Sequence, residues 1–132
     1  MSTEHESASL AISNAMVALY KEQFGRGPTK TRTHLSGPDL ITVTLEDTLT
    51  PSEHNLVKGG QHQRLRDLRL YFQYANVSDF CGPIERITGR KVRAFISGIG
   101  KDSEGLALET FILHPEGYDG PSRIALAATD MP

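Results

Sequence analysis

Hydrophobic residues change their spacing along this 132-residue chain, and the changes divide it into elements. Ile12, Met16, Leu19, Tyr20 and Phe24 recur at three- and four-residue intervals, which predicts one amphipathic helix that Gly25 stops. Thr3 with Glu6 reads as a capping box at its start, with Ser7 or Ser9 as alternatives. Over residues 29–35 and 40–46 the period falls to two, and Ser36-Gly37-Pro38-Asp39 between them predicts a hairpin with a four-residue loop. Ile41, Val43 and Leu45 alternate with Thr42 and Thr44, so one face of the second strand is aimed at a core.

Thr50-Pro51-Ser52-Glu53 joins a capping threonine, a proline at the first helical position and a glutamate at the third, so a helix begins there. The glycine pair Gly59-Gly60 interrupts it, at a cost of roughly 1 kcal/mol per glycine relative to alanine. Leu65, Leu68 and Phe72 resume a helical stripe, flanked by Tyr71 and Ala75, while Arg64, Arg66 and Arg69 mostly point elsewhere. Ser78 or Asp79 caps a shorter helix carrying Phe80, Ile84 and Ile87, with Pro83 early enough in it to be tolerated. After Gly89, residues 91–99 and 105–113 read as strands.

The expected class is α+β, in the order α-β-β-α-α-β-β. It implies a four-stranded, mostly antiparallel sheet with helices on one face, a permuted ferredoxin-like arrangement. Residues 1–113 form the domain and 114–132 a glycine- and proline-rich arm. Both halves share one plan, a helix ending in Gly-Arg followed by a strand that starts basic: Gly25-Arg26 before Lys30 and Arg32, Gly89-Arg90 before Lys91 and Arg93. Alternation places Val92, Ala94 and Ile96 opposite Phe95, and Leu106, Leu108 and Ile112 opposite Phe111 and Leu113. If helices cover the first set, the other sheet face carries Lys30, Arg32, His34, Lys91 and Arg93 beside Phe95, Phe111 and Leu113. That expectation makes Phe95, Phe111 and Leu113 a homodimer or partner interface.

Composition narrows the classes. Fourteen basic and sixteen acidic residues leave a net charge of -2, yet residues 58–93 alone carry +5, between flanks of -3 and -4. No apolar run spans a bilayer, and the acidic start MSTEHESAS lacks the basic region of a signal peptide, which predicts a cytoplasmic protein, peripheral to a membrane only through a protein partner. The lone cysteine, Cys81, forms no internal disulfide.

Candidate chemistry is sparse. His5, His34, His54, His62 and His114 lack the paired spacing of a zinc site, and no cofactor motif is present. Gly-Arg-Gly-Pro at 25–28 lacks the lysine and hydroxyl of a P-loop, but its amides beside Arg26, Lys30 and Arg32 suit a small anion. A small enzyme using Cys81 or the His114, Glu116 and Asp119 cluster is the alternative from another class. An RNA-binding module is a further one, weakened by the low aromatic content of Arg-Lys-Val-Arg-Ala-Phe-Ile-Ser-Gly at 90–98.

Gly25-Arg26-Gly27-Pro28, the Leu-Thr-Pro within 45–53, Ile87-Thr88-Gly89-Arg90-Lys91-Val92 and the strand at 106–113 resemble the MpsC-like family. These are small bacterial proteins named for a sodium-translocating, membrane-potential-generating system. The resemblance spans about residues 8–115, and no catalytic residue set carries over from it. It implies an accessory or regulatory component that binds a membrane-protein partner or a small anion, because ion passage through hydrocarbon needs spanning helices or a closed barrel. Arg26, Lys30, Arg32, Arg90, Lys91 and Arg93 are the expected contact residues. Gly59-Gly60, Cys81-Gly82-Pro83 and the arm depart from the family pattern.

Overall fold

The computed structural model describes residues 3–101 and 105–123, with side chains from residue 7 onward. Helix α1 (Thr3–Phe24) buries Ile12, Met16, Leu19 and Tyr20 and ends where Gly25, at φ 78°, donates its N–H to the Lys21 carbonyl. The Thr3 and Glu6 capping pair lies outside the described side chains. Strands β1 (Lys30–Ser36) and β2 (Leu40–Glu46) pair antiparallel up to Ser36↔Leu40. Because Ser36 joins the ladder, the hairpin loop has three residues rather than four, with Gly37 in the left-handed region at φ 70°.

Helix α2 (Pro51–Lys58) begins at the expected capping box: Glu53 N–H donates to Thr50 Oγ1, and Thr50 N–H donates to Glu53 Oε1. The glycine pair separates it from α3 (His62–Ala75). Helix α4 (Val77–Thr88) starts slightly earlier than Ser78, without a side-chain cap, and stops at the left-handed Gly89. Strands β3 (Val92–Ile99) and β4 (Ala107–Leu113) complete an antiparallel sheet of order β1-β2-β4-β3, covered by helices on one face. The class is α+β and the element order is the expected one.

The main core joins Ile12, Met16 and Tyr20 of α1 to Val43 and Leu45 of β2, Phe80 and Ile84 of α4, and Phe95 and Phe111 of the sheet. A smaller cluster of Leu49, Leu65 and Ile99, with Leu56 and Val57 against it, seats α2 and α3 at the sheet's end.

Two facings differ from the expected ones. Phe95, Phe111 and Leu113, expected on the bare side, are buried under the helices, while Ile96 and Leu108 are exposed. On β3 a bulge between Val92 and Ala94 adds one residue, so Val92 and Phe95 both turn inward despite their odd spacing. On β4 both rows are apolar, so alternation leaves the choice open, and the larger rings win it. Phe95 sits 5.2 Å from both Phe80 and Phe111, and aromatic rings bury more area than Ile96 or Leu108 would. The second change is in α3, whose buried stripe is Leu65, Arg69 and Gln73, while Leu68, Tyr71 and Phe72 face outward.

Candidate docking face

Among the described residues, nothing covers the side of the sheet away from the helices. From edge to edge it presents Lys30, Arg32 and His34 on β1, Thr42 and Thr44 on β2, Leu108, Thr110 and Ile112 on β4, and Ala94, Ile96 and Gly98 on β3. Ile96 is 54% exposed, Leu108 43% and Leu106, just before β4, 42%. Ile96 pairs with Thr110, and Leu108 with Gly98 on one side and Thr44 on the other. These positions form one apolar field that grades into a basic strip on β1. Among the described residues no phenylalanine or tyrosine ring of the sheet lies on this face, because Phe95 and Phe111 are buried on the other, so it lacks the paired rings on which RNA-recognition sheets stack bases.

The six expected contact cations do not form one surface. Strands β1 and β3 are the two edges of the sheet and run in opposite directions, so Lys30 and Arg32 lie at one corner, and Lys91 and Arg93 at the diagonally opposite one. Two of the six are structural clamps. Arg26 donates to the Leu49 carbonyl at 2.6 Å and to Asp47 at 3.2 Å. Arg90 donates to Asp39 and to the carbonyls of Pro38 and His114. The shared Gly-Arg plan thereby gains a physical meaning: a left-handed glycine ends each helix, and the arginine after it fastens an aspartate at one end of β2. Lys30 faces Glu46 at 3.9 Å, while Arg32 makes no ion pair among the described residues.

Beneath the sheet lies a polar network that the hydrophobic pattern gives no hint of. Glu109, in the middle of β4, is fully buried, and its Oε1 accepts hydrogen bonds from Tyr20 at 2.9 Å, Gln73 at 2.7 Å and Ser97 at 2.8 Å. Desolvation outweighs those donors and the nearby Arg69 charge, pushing its carboxyl up to about 8. Burial and the neighbouring Glu109 raise the Tyr20 hydroxyl well above its ordinary value. One turn along α3, Arg69 lies 4.0 Å above the Phe24 ring and binds Glu53 and the Thr48 carbonyl.

Nothing in this geometry favours covalent chemistry at the candidate nucleophile. Cys81 is buried against the core, and burial pushes its thiol up to about 11, so the nucleophilic thiolate is suppressed. The His114 ring stacks on Tyr118 at 3.8 Å and bonds the Ser122 carbonyl, so it serves as packing for the arm. The arm returns to α4, where Ser122 donates to Glu85 and Arg123 to Ser78. Its remainder, residues 124–132, lies outside the described residues. Among the described residues no cluster of histidine, cysteine or carboxylate side chains is placed to hold a metal ion.

An open, four-stranded antiparallel sheet with helices on one face defines a small α+β protein. The chain belongs to the MpsC family: residues 4–114 match the family model described as Na+-translocating membrane potential-generating system (MpsC). No curated protein and no solved structure matches it. No helix among the described residues is long and apolar enough to cross a membrane.

Proposed function

We propose that this chain is a non-enzymatic accessory component of the ion-translocating system for which its family is named, and that it acts by docking its bare sheet face onto a protein partner. The observation that carries the reading is the apolar field around Ile96 and Leu108, exposed on the outer face of the sheet. The family membership supplies the system, and the suppressed Cys81 thiolate weakens the enzymatic alternative.

The test is affinity purification of the tagged chain from membranes of its own host, with Ile96→Asp/Leu108→Asp as control. Near-stoichiometric recovery of an integral membrane protein, lost with the double substitution, supports the reading. Homodimerisation through the same face is the competing use. A self-associating species in sedimentation equilibrium, abolished by the same substitutions and with no membrane protein recovered, replaces the accessory role with a dimer.

A further inference from the structure

The bare face meets the solvent at two edges that differ in kind. Strand β3 is broken by the bulge at Val92/Ala94, a feature that discourages pairing with another chain. Strand β1 has β2 on one side, no strand on the other among the described residues, and an unbroken register over all seven residues. One row of its backbone N–H and C=O groups therefore points away from the sheet, which is the template for adding a strand.

The side chains along this edge say what strand would fit. Toward the bare face β1 displays Lys30, Arg32 and His34, all exposed, at alternate positions. Toward the helices it carries Thr31, Thr33 and Leu35, the last 40% exposed. The Ser13 and Thr33 hydroxyls meet at 2.7 Å and fix α1 along this edge. Leu10, 63% exposed, lies one turn before Ser13 on the same flank of the helix, which runs back along β1 toward its Leu35 end. The edge is thus basic on one side of the ladder and apolar on the other. A second copy of this chain does not match it. In the register centred on Arg32, antiparallel pairing about a two-fold axis normal to the sheet sets Arg32 against Arg32, and like charges directly opposite one another are destabilising.

We propose that β1 is a strand-addition site for an extended partner segment that alternates acidic and apolar residues, the acids facing Arg32 and His34 and the apolar side chains facing Leu10 and Leu35. The inference rests on the docking function proposed above and names the segment of the partner that is read.

The probe is a blocked peptide of about nine residues alternating valine and glutamate, long enough at about 3.4 Å per residue to span β1, with a valine and lysine peptide as its counterpart. Titration into the 15N-labelled full chain is expected to give saturable shifts on residues 30–36 and on Leu10 and Ser13, slower amide exchange along β1, and weakening with added salt. Arg32→Glu/His34→Glu should lose about tenfold in affinity for the glutamate peptide and gain the lysine one. If that variant does not fold by circular dichroism, Arg32→Gln/His34→Gln should still weaken the glutamate peptide. Shifts confined to Ile96 and Leu108 would overturn the edge site while leaving the docking face standing. Absence of any saturable shift, or equal binding of the two peptides, would also overturn it.

Discussion

Arg69, midway along α3, donates two hydrogen bonds to Glu53, the residue that closes the capping box of α2. One carboxylate thus serves two elements: its Oε1 accepts from the Thr50 backbone and from Arg69, and its Oε2 from Arg69. The Arg69 side chain is 1% exposed and that of Glu53 9%. Removing either partner leaves a buried charge alone, which typically costs about 3–5 kcal/mol. Arg69→Ala is expected to lower the urea midpoint by far more than Arg64→Ala on the exposed side of the same helix. The double substitution Arg69→Met/Glu53→Gln should recover part of the loss, because no unpaired charge then remains.

That pair also has a pH signature. Burial alone would raise the Glu53 carboxyl, but the bonds from Arg69 and Thr50 prevail and hold it below its ordinary value of 4.5. A depressed folded pKa contributes stability that is present above pH 4.5 and lost as pH falls through the folded value. The gap in urea midpoint between the native chain and Arg69→Met should therefore narrow as pH is lowered from about 7 to about 3, because only the native chain loses the stability that the depressed Glu53 carboxyl supplies.

Glu109 titrates the other way. Its carboxyl is raised to about 8 in the folded chain and is near 4.5 when unfolded, so between those values the folded state holds the extra proton. Stability must then fall as pH rises from about 4.5 to about 8 and level off above. Glu109→Gln keeps the size and removes the slope. Its advantage over the native chain should grow across that window and amount to a few kcal/mol by about pH 8, on the order set by 1.4 kcal/mol per pKa unit. Parallel urea titrations of both chains measure it.

Gly105 and Gly37 share a left-handed backbone but not their surroundings. A Cβ on Gly105 would lie 2.4 Å from Leu49 Cγ, in the loop where Thr48 bonds the Gly105 carbonyl. A Cβ on Gly37 would meet nothing within 4 Å. Gly37→Ala is expected to cost about 1–2 kcal/mol, the left-handed penalty alone. Gly105→Ala adds the clash and should lower the melting temperature by clearly more.

Cys81 should be inert in the native chain. With its thiol pushed up to about 11 and its side chain in the core, reaction with a disulfide reagent is expected only after denaturant exposes it. Rapid modification in buffer at neutral pH would instead restore Cys81 as a candidate nucleophile.

Much of this was legible from spacing. The stripe of α1, the alternation of β2, the capping box at Thr50 and the glycine stops at 25 and 89 are local signals, each settled by neighbours within a turn or two, and the structure carries them all. The roles of Arg26 and Arg90 were only half legible. Their positions after the glycines were plain, but their partners Asp47 and Asp39 lie 21 and 51 residues away. No local pattern could distinguish a clamp from an open cation.

The facing of β3, β4 and α3 was decided elsewhere. Both rows of β4 are apolar, a bulge resets the phase of β3, and α3 offers Leu68 and Phe72 on one stripe against Arg69 and Gln73 on another. Sequence alone determined that these segments are strands and a helix. Which side of each is buried was decided by what the assembled fold had to satisfy: the buried Glu53 carboxylate needs a charged partner and the buried Glu109 carboxyl needs hydrogen bonds, and Arg69 and Gln73 are the side chains that reach them. An uncompensated charge in a core costs more than an exposed leucine or phenylalanine, so α3 turned its polar stripe inward. The apolar field on the sheet's outer face follows from the same kind of choice, since the core took the rings of Phe95 and Phe111 and left Ile96 and Leu108 outside.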